Sequence, residues 1–447
     1  MTATQNTPVG KEADAAVQDG RQTLQRDGDT TDTSAAQNSQ CDSTYPEGGL
    51  QAWLVVFGAW CAMISAMGLL NTLAVLQAWV SEHQLQGMPE SAIGWIFSTY
   101  GFFIYFCGAQ IGPIFDAYDI RLLIMPGSVG IVASVICMSF STEFYHFLLS
   151  FGVLGGISAS LLFYPSISAI SHWFYRRRSP ATGISFTAGG LGGVAYPLII
   201  LYLGPIIRFP WAIRVVGLIS AVTSALACCL LRKRLPPNKA KGGSIDLKAL
   251  SDRKYAVVTL AVLLVEFAVF IPYTYISSYA IFKGMGLQSA YKLNALLNAG
   301  AIPGRVLPGY FADRFGVFNV MILTGLACTA FIFALWLPID SNEAGITAFT
   351  VLYGFWSGAA IALTPVCTGR VCQTEDIGKR TGTRFFITSF GVLTGIPIAG
   401  AILQTGGYRG LIILAGSAYA ASVVVFAWAR GLVRLDRDDR WLPWGAR

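Results

Sequence analysis

Landmarks in this chain recur about two hundred residues apart, each at the same place in a series of apolar stretches. Pro165 and Pro365 stand 200 residues apart, as do Pro197 and Pro397, and Asp116 and Asp313 stand 197 apart. Arg178 and Gly183 are echoed by Arg380 and Gly382 at nearly the same shift. A duplicated unit leaves this trace, and two parallel copies of six membrane-crossing helices are one architecture that fits it. The chain is therefore read as an all-α membrane protein, with twelve transmembrane helices in two six-helix pseudo-repeats.

Composition supports that reading. Of 447 residues 54% are hydrophobic and 12% charged, with mean hydropathy +0.56; a soluble domain carries about 25% charged residues. A span needs about 20 apolar residues. The apolar stretches fall at 52–76, 92–115, 122–141, 146–170, 182–204 and 211–231, then 255–276, 291–312, 317–337, 345–367, 381–404 and 408–430. The expected layout is a disordered cytosolic tail over 1–45, a bundle over 46–231, a cytosolic linker over 232–254, a second bundle over 255–430, and a cytosolic tail over 431–447. With the N-terminus inside, the interior loops hold Arg121, Arg176 to Arg178, the cluster from Arg232 to Lys254, Arg314, Lys379 and Arg380, while exterior loops hold only Arg208, Lys283, Lys292 and Arg409. That asymmetry places both termini in the cytosol, most simply at the plasma membrane, with an internal membrane such as the vacuole as the alternative. The net charge of +7 then reads as topology, with no nucleic acid as partner. The partners expected are the bilayer and a small-molecule solute, with the monomer as the working unit. The nine cysteines show no metal-ligand spacing, and His83, His146 and His172 are dispersed, so neither a metal site nor an enzyme's nucleophile cluster is expected. No cofactor is expected either, with proton coupling as an open alternative.

Two charges stand well inside apolar stretches, Glu266 and Arg305. Insertion scales put the cost of such a residue at about 2.5–3.5 kcal/mol, so each should face a cavity or the other. Tyr164, Tyr273 and Trp356 lie on stretches that could line the same cavity. The fifth and eleventh stretches are rich in glycine and contain Pro197 and Pro397, where a break in the helix would supply a hinge.

Gly309-Tyr310-Phe311-Ala312-Asp313-Arg314 closes the eighth stretch, and Gly112 to Asp116 with Arg121 closes the second. This Gly-x-x-x-Asp element with a following basic residue resembles the cytosolic motif of the major facilitator superfamily. Glu47-Gly48-Gly49 with Trp53, and Trp173 to Arg178 with Gly183, are similar to the two signatures of its monocarboxylate porter family, in fungal form. Leu50 stands where that family has an aromatic residue, and Asp119 where the motif has a turn glycine. The resemblance implies a secondary carrier working by alternating access. It further implies that Arg305 contacts the carboxylate of the solute. Asn71 and Ala301 occupy the places of the lysine and acid that complete the relay in animal members, so lactate-type symport is not implied. The solute expected is a small organic anion or a partly aromatic metabolite, such as a monocarboxylate or a secondary metabolite moved outward. A neutral nutrient or vitamin carrier and a non-transporting sensor of the same fold are the alternatives.

Overall fold

Where the helical ladder stops decides how many times this chain crosses a membrane. The computed structural model describes residues 46–175, 177–234, 247–339, 341–372 and 377–438, together with Thr2. Met1–Pro46 and Glu47–Arg447 are separate units, and the second is described here. The helices are α1 (Leu50–Leu70), α2 (Leu73–Glu82), α3 (Glu90–Phe106), α4 (Gly108–Ala117), α5 (Arg121–Met138), α6 (Phe144–Phe147), α7 (Gly156–Trp173), α8 (Arg178–Ile207) and α9 (Phe209–Leu230). They continue as α10 (Arg253–Phe282), α11 (Leu287–Phe315), α12 (Val317–Phe331), α13 (Glu343–Arg370) and α14 (Ile377–Asp438). π-Helical turns at Leu148–Gly155 and Ile332–Trp336 extend α7 and α12.

Among the described residues, ten helical stretches are long and apolar enough to cross a membrane. α11 is not among them, because Asn294, Asn298, Pro303, Arg305 and Pro308 within its span lower its hydropathy. α14 counts once yet cannot cross once: 62 residues would reach about 90 Å, against a hydrocarbon core of about 30 Å. Gly407 interrupts it with φ 61° and ψ −169°, a conformation that glycine reaches without strain. Splitting α14 there and adding α11 gives twelve spans.

Three details depart from the expected pattern. The first span is not one rod to residue 76: α1 ends at Leu70, and α2 restarts at Leu73 after the Thr72 hydroxyl has turned back to the Gly68 carbonyl at 2.7 Å. The second span is interrupted at Cys107, between α3 and α4. The breaks expected at Pro197 and Pro397 are absent: α8 and α14 run on through them, α8 clamped between α1 and α11. Proline removes only one bond from the ladder, and close neighbours hold the helix to its course. Of the expected linker, residues 235–246 lie outside the described set, as do 1–45 except Thr2 and the tail beyond 438; α10 already begins at Arg253.

Two apolar cores form. One gathers side chains from Ala52 to Leu231, among them Met63, Phe151 and Tyr196, and draws in Ala362, Phe385 and Val392. The other runs from Val257 to Ala429 around Tyr279, Trp336 and Tyr353. Leu218, Val222, Leu323 and Val424 stay exposed on the outside, as a surface bathed in lipid requires.

Candidate functional site

At one end of the bundle, two carboxylates each close onto the start of a helix from the other half. Asp116, near the end of α4, accepts through Oδ2 from the backbone N–H of Lys379 at 3.0 Å, in the first turn of α14. Asp313, near the end of α11, accepts through Oδ1 from the Ser179 hydroxyl at 2.5 Å, in the first turn of α8, with Arg370 Nη2 3.9 Å away. A helix start carries unpaired N–H groups and partial positive charge, so an anion is favourable there by about 0.3–1 kcal/mol in exposed settings. Glycine lets the backbones meet. A Cβ on Gly112 would fall 2.2 Å from the Gly378 carbonyl oxygen, and one on Gly309 would fall 3.1 Å from that of Ser179. Arg121 and Arg314 stay outside this closure: both are exposed, Arg121 donating its N–H to Asp119 Oδ1 at 3.3 Å and Arg314 lying 5.0 Å from the Tyr310 ring centroid. This is the end that carries the basic loops.

The segment before α1 is fastened to the same end. Glu47 accepts from the N–H groups of Tyr175 (2.8 Å) and Arg177 (3.1 Å), joining two stretches about 130 residues apart in sequence. Gly48 and Gly49 turn the chain into α1, Gly49 at φ 85°, and Trp53 meets Phe174 with ring centroids 5.3 Å apart. Arg178 is buried, with Nε and Nη2 donating to the carbonyls of Phe174 and Ser171 at 3.3 Å each, so it caps the end of α7. The Arg177 side chain is exposed. Arg176 lies outside the described residues. Lys233 donates to the carbonyls of Phe115 (2.6 Å) and Asp116 (2.7 Å) and so caps α4. Burial lowers its pKa from the ordinary lysine value, while Asp116 and Asp119 pull the other way.

Deeper in the bundle lies a narrow cavity of about 20 Å³, room for about one water in this closed arrangement, bounded by Asn71, Tyr105, Phe186, Phe270, Tyr273 and Arg305 among others. Arg305, 2% exposed, donates from Nη1 to the Phe186 carbonyl at 2.6 Å, while its Nε has no hydrogen-bond partner. Asn71 donates to the Gly189 carbonyl at 2.8 Å, and the Tyr273 hydroxyl is unpartnered. A cation, an amide and a phenol thus share one cavity with apolar rings. That combination suits a solute with a flat apolar body and an acceptor group.

The pairing of Glu266 with Arg305 weighed from the sequence is not formed. Glu266 is buried with Oε2 unpartnered, and its electrostatic partner is Arg384. Arg384 makes a third charge at membrane depth where the sequence showed two. It sits eight residues into α14 and three past the expected start of that span, so it reads as a residue of the membrane interface. An arginine just inside that stretch, followed by Phe385 and Phe386, was the only sign the sequence offered. Tyr164 lies outside the cavity lining, its hydroxyl donating to the Tyr105 carbonyl at 3.1 Å; Trp356 is half-buried against Phe355, also away from the lining. Phe186 and Phe270, which do line it, carry no sequence mark that separates them from other apolar residues.

Twelve spans around a central polar cavity, closed at one end by carboxylates on helix starts, define a membrane carrier. The chain belongs to the major facilitator superfamily: the family model described as Major Facilitator Superfamily matches residues 55–368 and 300–445. The riboflavin transporter MCH5 of Saccharomyces cerevisiae is 34% identical over 429 residues, covering 90% of this chain and 82% of that protein. The aspyridones efflux protein apdF of Emericella nidulans is 34% identical over 390 residues, covering 86% and 77%. The human organic anion transporter MFSD10 (TETRAN) shares the fold with TM-score 0.66 at 16% identity, over 85% of this chain and 100% of that one. A bacterial homologue of the iron transporter ferroportin, in its outward-facing state, does so with TM-score 0.67 at 12% identity, over 86% and 100%. This chain is a multi-pass membrane transporter of small organic molecules.

Proposed function

We propose that the cargo is a small, partly aromatic organic molecule bearing an acid group, moved by alternating access across the plasma membrane. The observation that carries this is the cavity lining: among the described residues Arg305 is its only charged member, and Tyr105, Phe186, Phe270 and Tyr273 surround it with rings. Arg305 receives the acid group through a planar donor fork, and the rings hold the apolar body. Membership of the monocarboxylate porter branch is supported by Glu47, which binds the backbone of the Tyr175–Arg177 segment and so unites the two signature-like stretches. Both termini lie in the cytosol in this reading, and one copy suffices because the cavity is built within one chain. A second reading, a neutral vitamin as cargo, is favoured by the riboflavin transporter's 34% identity over 90% of this chain and by the Asn71 amide in the lining.

The test is transport in a host lacking its own carriers, with a panel of aromatic carboxylates, their amides and riboflavin, at two pH values. Movement of carboxylates but not of their amides supports the acid-bearing cargo. Movement of riboflavin alone selects the second reading. Proton movement recorded alongside solute movement at the two pH values decides whether protons move with the solute.

A further inference from the structure

The cavity is not the only polar place at membrane depth. Arg384 is fully buried, and none of its three guanidinium nitrogens has a hydrogen-bond partner. Glu266, the opposite charge nearest to it electrostatically, is equally buried and leaves Oε2 unpartnered. An ion pair built only for structure closes on itself, because each vacant donor in a water-free setting is costly. This pair has not closed.

The position of Arg384 relative to the cavity is specific. Its guanidinium carbon lies 3.8 Å from the Phe385 ring centroid, Phe385 stacks on Tyr105 at 5.2 Å, and Tyr105 lines the cavity. The wall between the cavity and Arg384 is thus a pair of rings. Counted along α14, Arg384 is about 10 Å from the basic end, whereas Arg305 on α11 is about 15 Å from it. The neighbouring hydroxyls of Tyr164 and Tyr255 already donate to the carbonyls of Tyr105 and Arg380.

We propose that Arg384 is a second anion-binding site, which takes the carboxylate of an aromatic acid on the basic side of the Tyr105–Phe385 wall, with Glu266 as the internal counter-charge that the carboxylate displaces. The inference rests on the acid-bearing cargo of the preceding section and adds a second station on its path. A carboxylate held at Arg305 passes to Arg384 when the rings part, and Glu266 competes for the same guanidinium and so speeds release. No bond is made or broken; one anion replaces another at a fixed cation.

The experiment uses the full chain in lipid nanodiscs, with benzoate as probe and benzamide as its uncharged counterpart, each titrated against the unfolding temperature. Wild type is expected to respond to benzoate at lower concentration than to benzamide. Arg305→Gln keeps part of that preference, and Arg305→Gln with Arg384→Gln erases it. Glu266→Gln lowers the half-maximal benzoate concentration about tenfold. Should Arg384→Gln fail to assemble, Arg384→Lys in the Arg305→Gln background replaces it; loss of the fork raises the benzoate midpoint about tenfold, and an unchanged midpoint overturns the proposal. It is also overturned if wild type does not distinguish the two probes, or if Arg305→Gln alone erases the preference. Failure of the acid-bearing cargo reading would look different: riboflavin or the amides, but no carboxylate, would move in the transport panel while these binding differences remained.

Discussion

At the scale of single residues, Arg305 decides what the cavity can hold. One of its donors is spent on the Phe186 carbonyl at 2.6 Å, and Nε remains unpartnered beside the cavity. Arg305→Lys keeps the charge but loses the planar fork, so KM for an acid-bearing solute should rise about tenfold, equivalent to about 1.4 kcal/mol, with transport surviving. Arg305→Ala should abolish transport of acids while leaving the amount of protein in the membrane near normal, because no internal carboxylate is bonded to Arg305 and left stranded. Transport of acids by Arg305→Ala at the wild-type rate would hand the cavity to a neutral cargo. Arg305 was legible, since it interrupts an apolar stretch and such interruptions are expensive, and so was Glu266, although it lies outside the cavity lining. The partnership between them was not, because which face of a helix meets which neighbour depends on rotation that single residues do not encode. Arg384 escaped for a simpler reason: a charge within a turn of an expected span end is indistinguishable from an interface anchor.

At the scale of helices, the closure of the basic end consists of carboxylates seated on the first turns of α8 and α14. Asp313→Asn should keep the shape but weaken the bond to Ser179 and the attraction of Arg370, reducing the transport rate about three- to tenfold. Fluorescence-detected size exclusion on the same variant separates this from misfolding; loss of the folded peak would assign Asp313 a purely structural part. Gly112→Ala acts on backbone spacing instead. Its methyl would meet the Gly378 carbonyl oxygen at 2.2 Å, so α4 and α14 must part. Spin labels at Tyr118 and Arg314, both exposed at this end in different halves, should show a longer mean distance in Gly112→Ala than in the parent. An unchanged distance distribution would mean that the contact yields locally and does not set the closure. The Gly-x-x-x-Asp spacing revealed these elements because glycine and acid must lie one turn apart on one helix face. The breaks at Asn71–Thr72 and Cys107 and the unbroken course through Pro197 were hidden, because tertiary neighbours decide whether a ladder is interrupted.

At the scale of the whole molecule, the basic loops gather at one end. Tags on both termini should therefore be shielded from protease in intact cells and cut after permeabilisation, whereas a tag inserted at Gly286 should be cut in intact cells. Protection of the Gly286 tag together with exposure of the termini would invert the orientation. The twelvefold crossing was readable from composition and the two-hundred-residue echo, which gave 291–312 as one span and 381–404 and 408–430 as two, where the continuous helix α14 alone would suggest one. Asp116 and Asp313 carry a further consequence for the carrier in motion. When the halves separate at the basic end, each carboxylate leaves its helix start, and two positively polarised helix ends are uncovered to the surrounding water. Dissolved chloride or phosphate on that side can settle where the carboxylates were, easing the separation, whereas the same ions on the opposite side meet no such ends. The salt of one compartment alone would then set how long the carrier lingers open toward it, giving an otherwise pseudo-symmetric machine a built-in preference between its two faces.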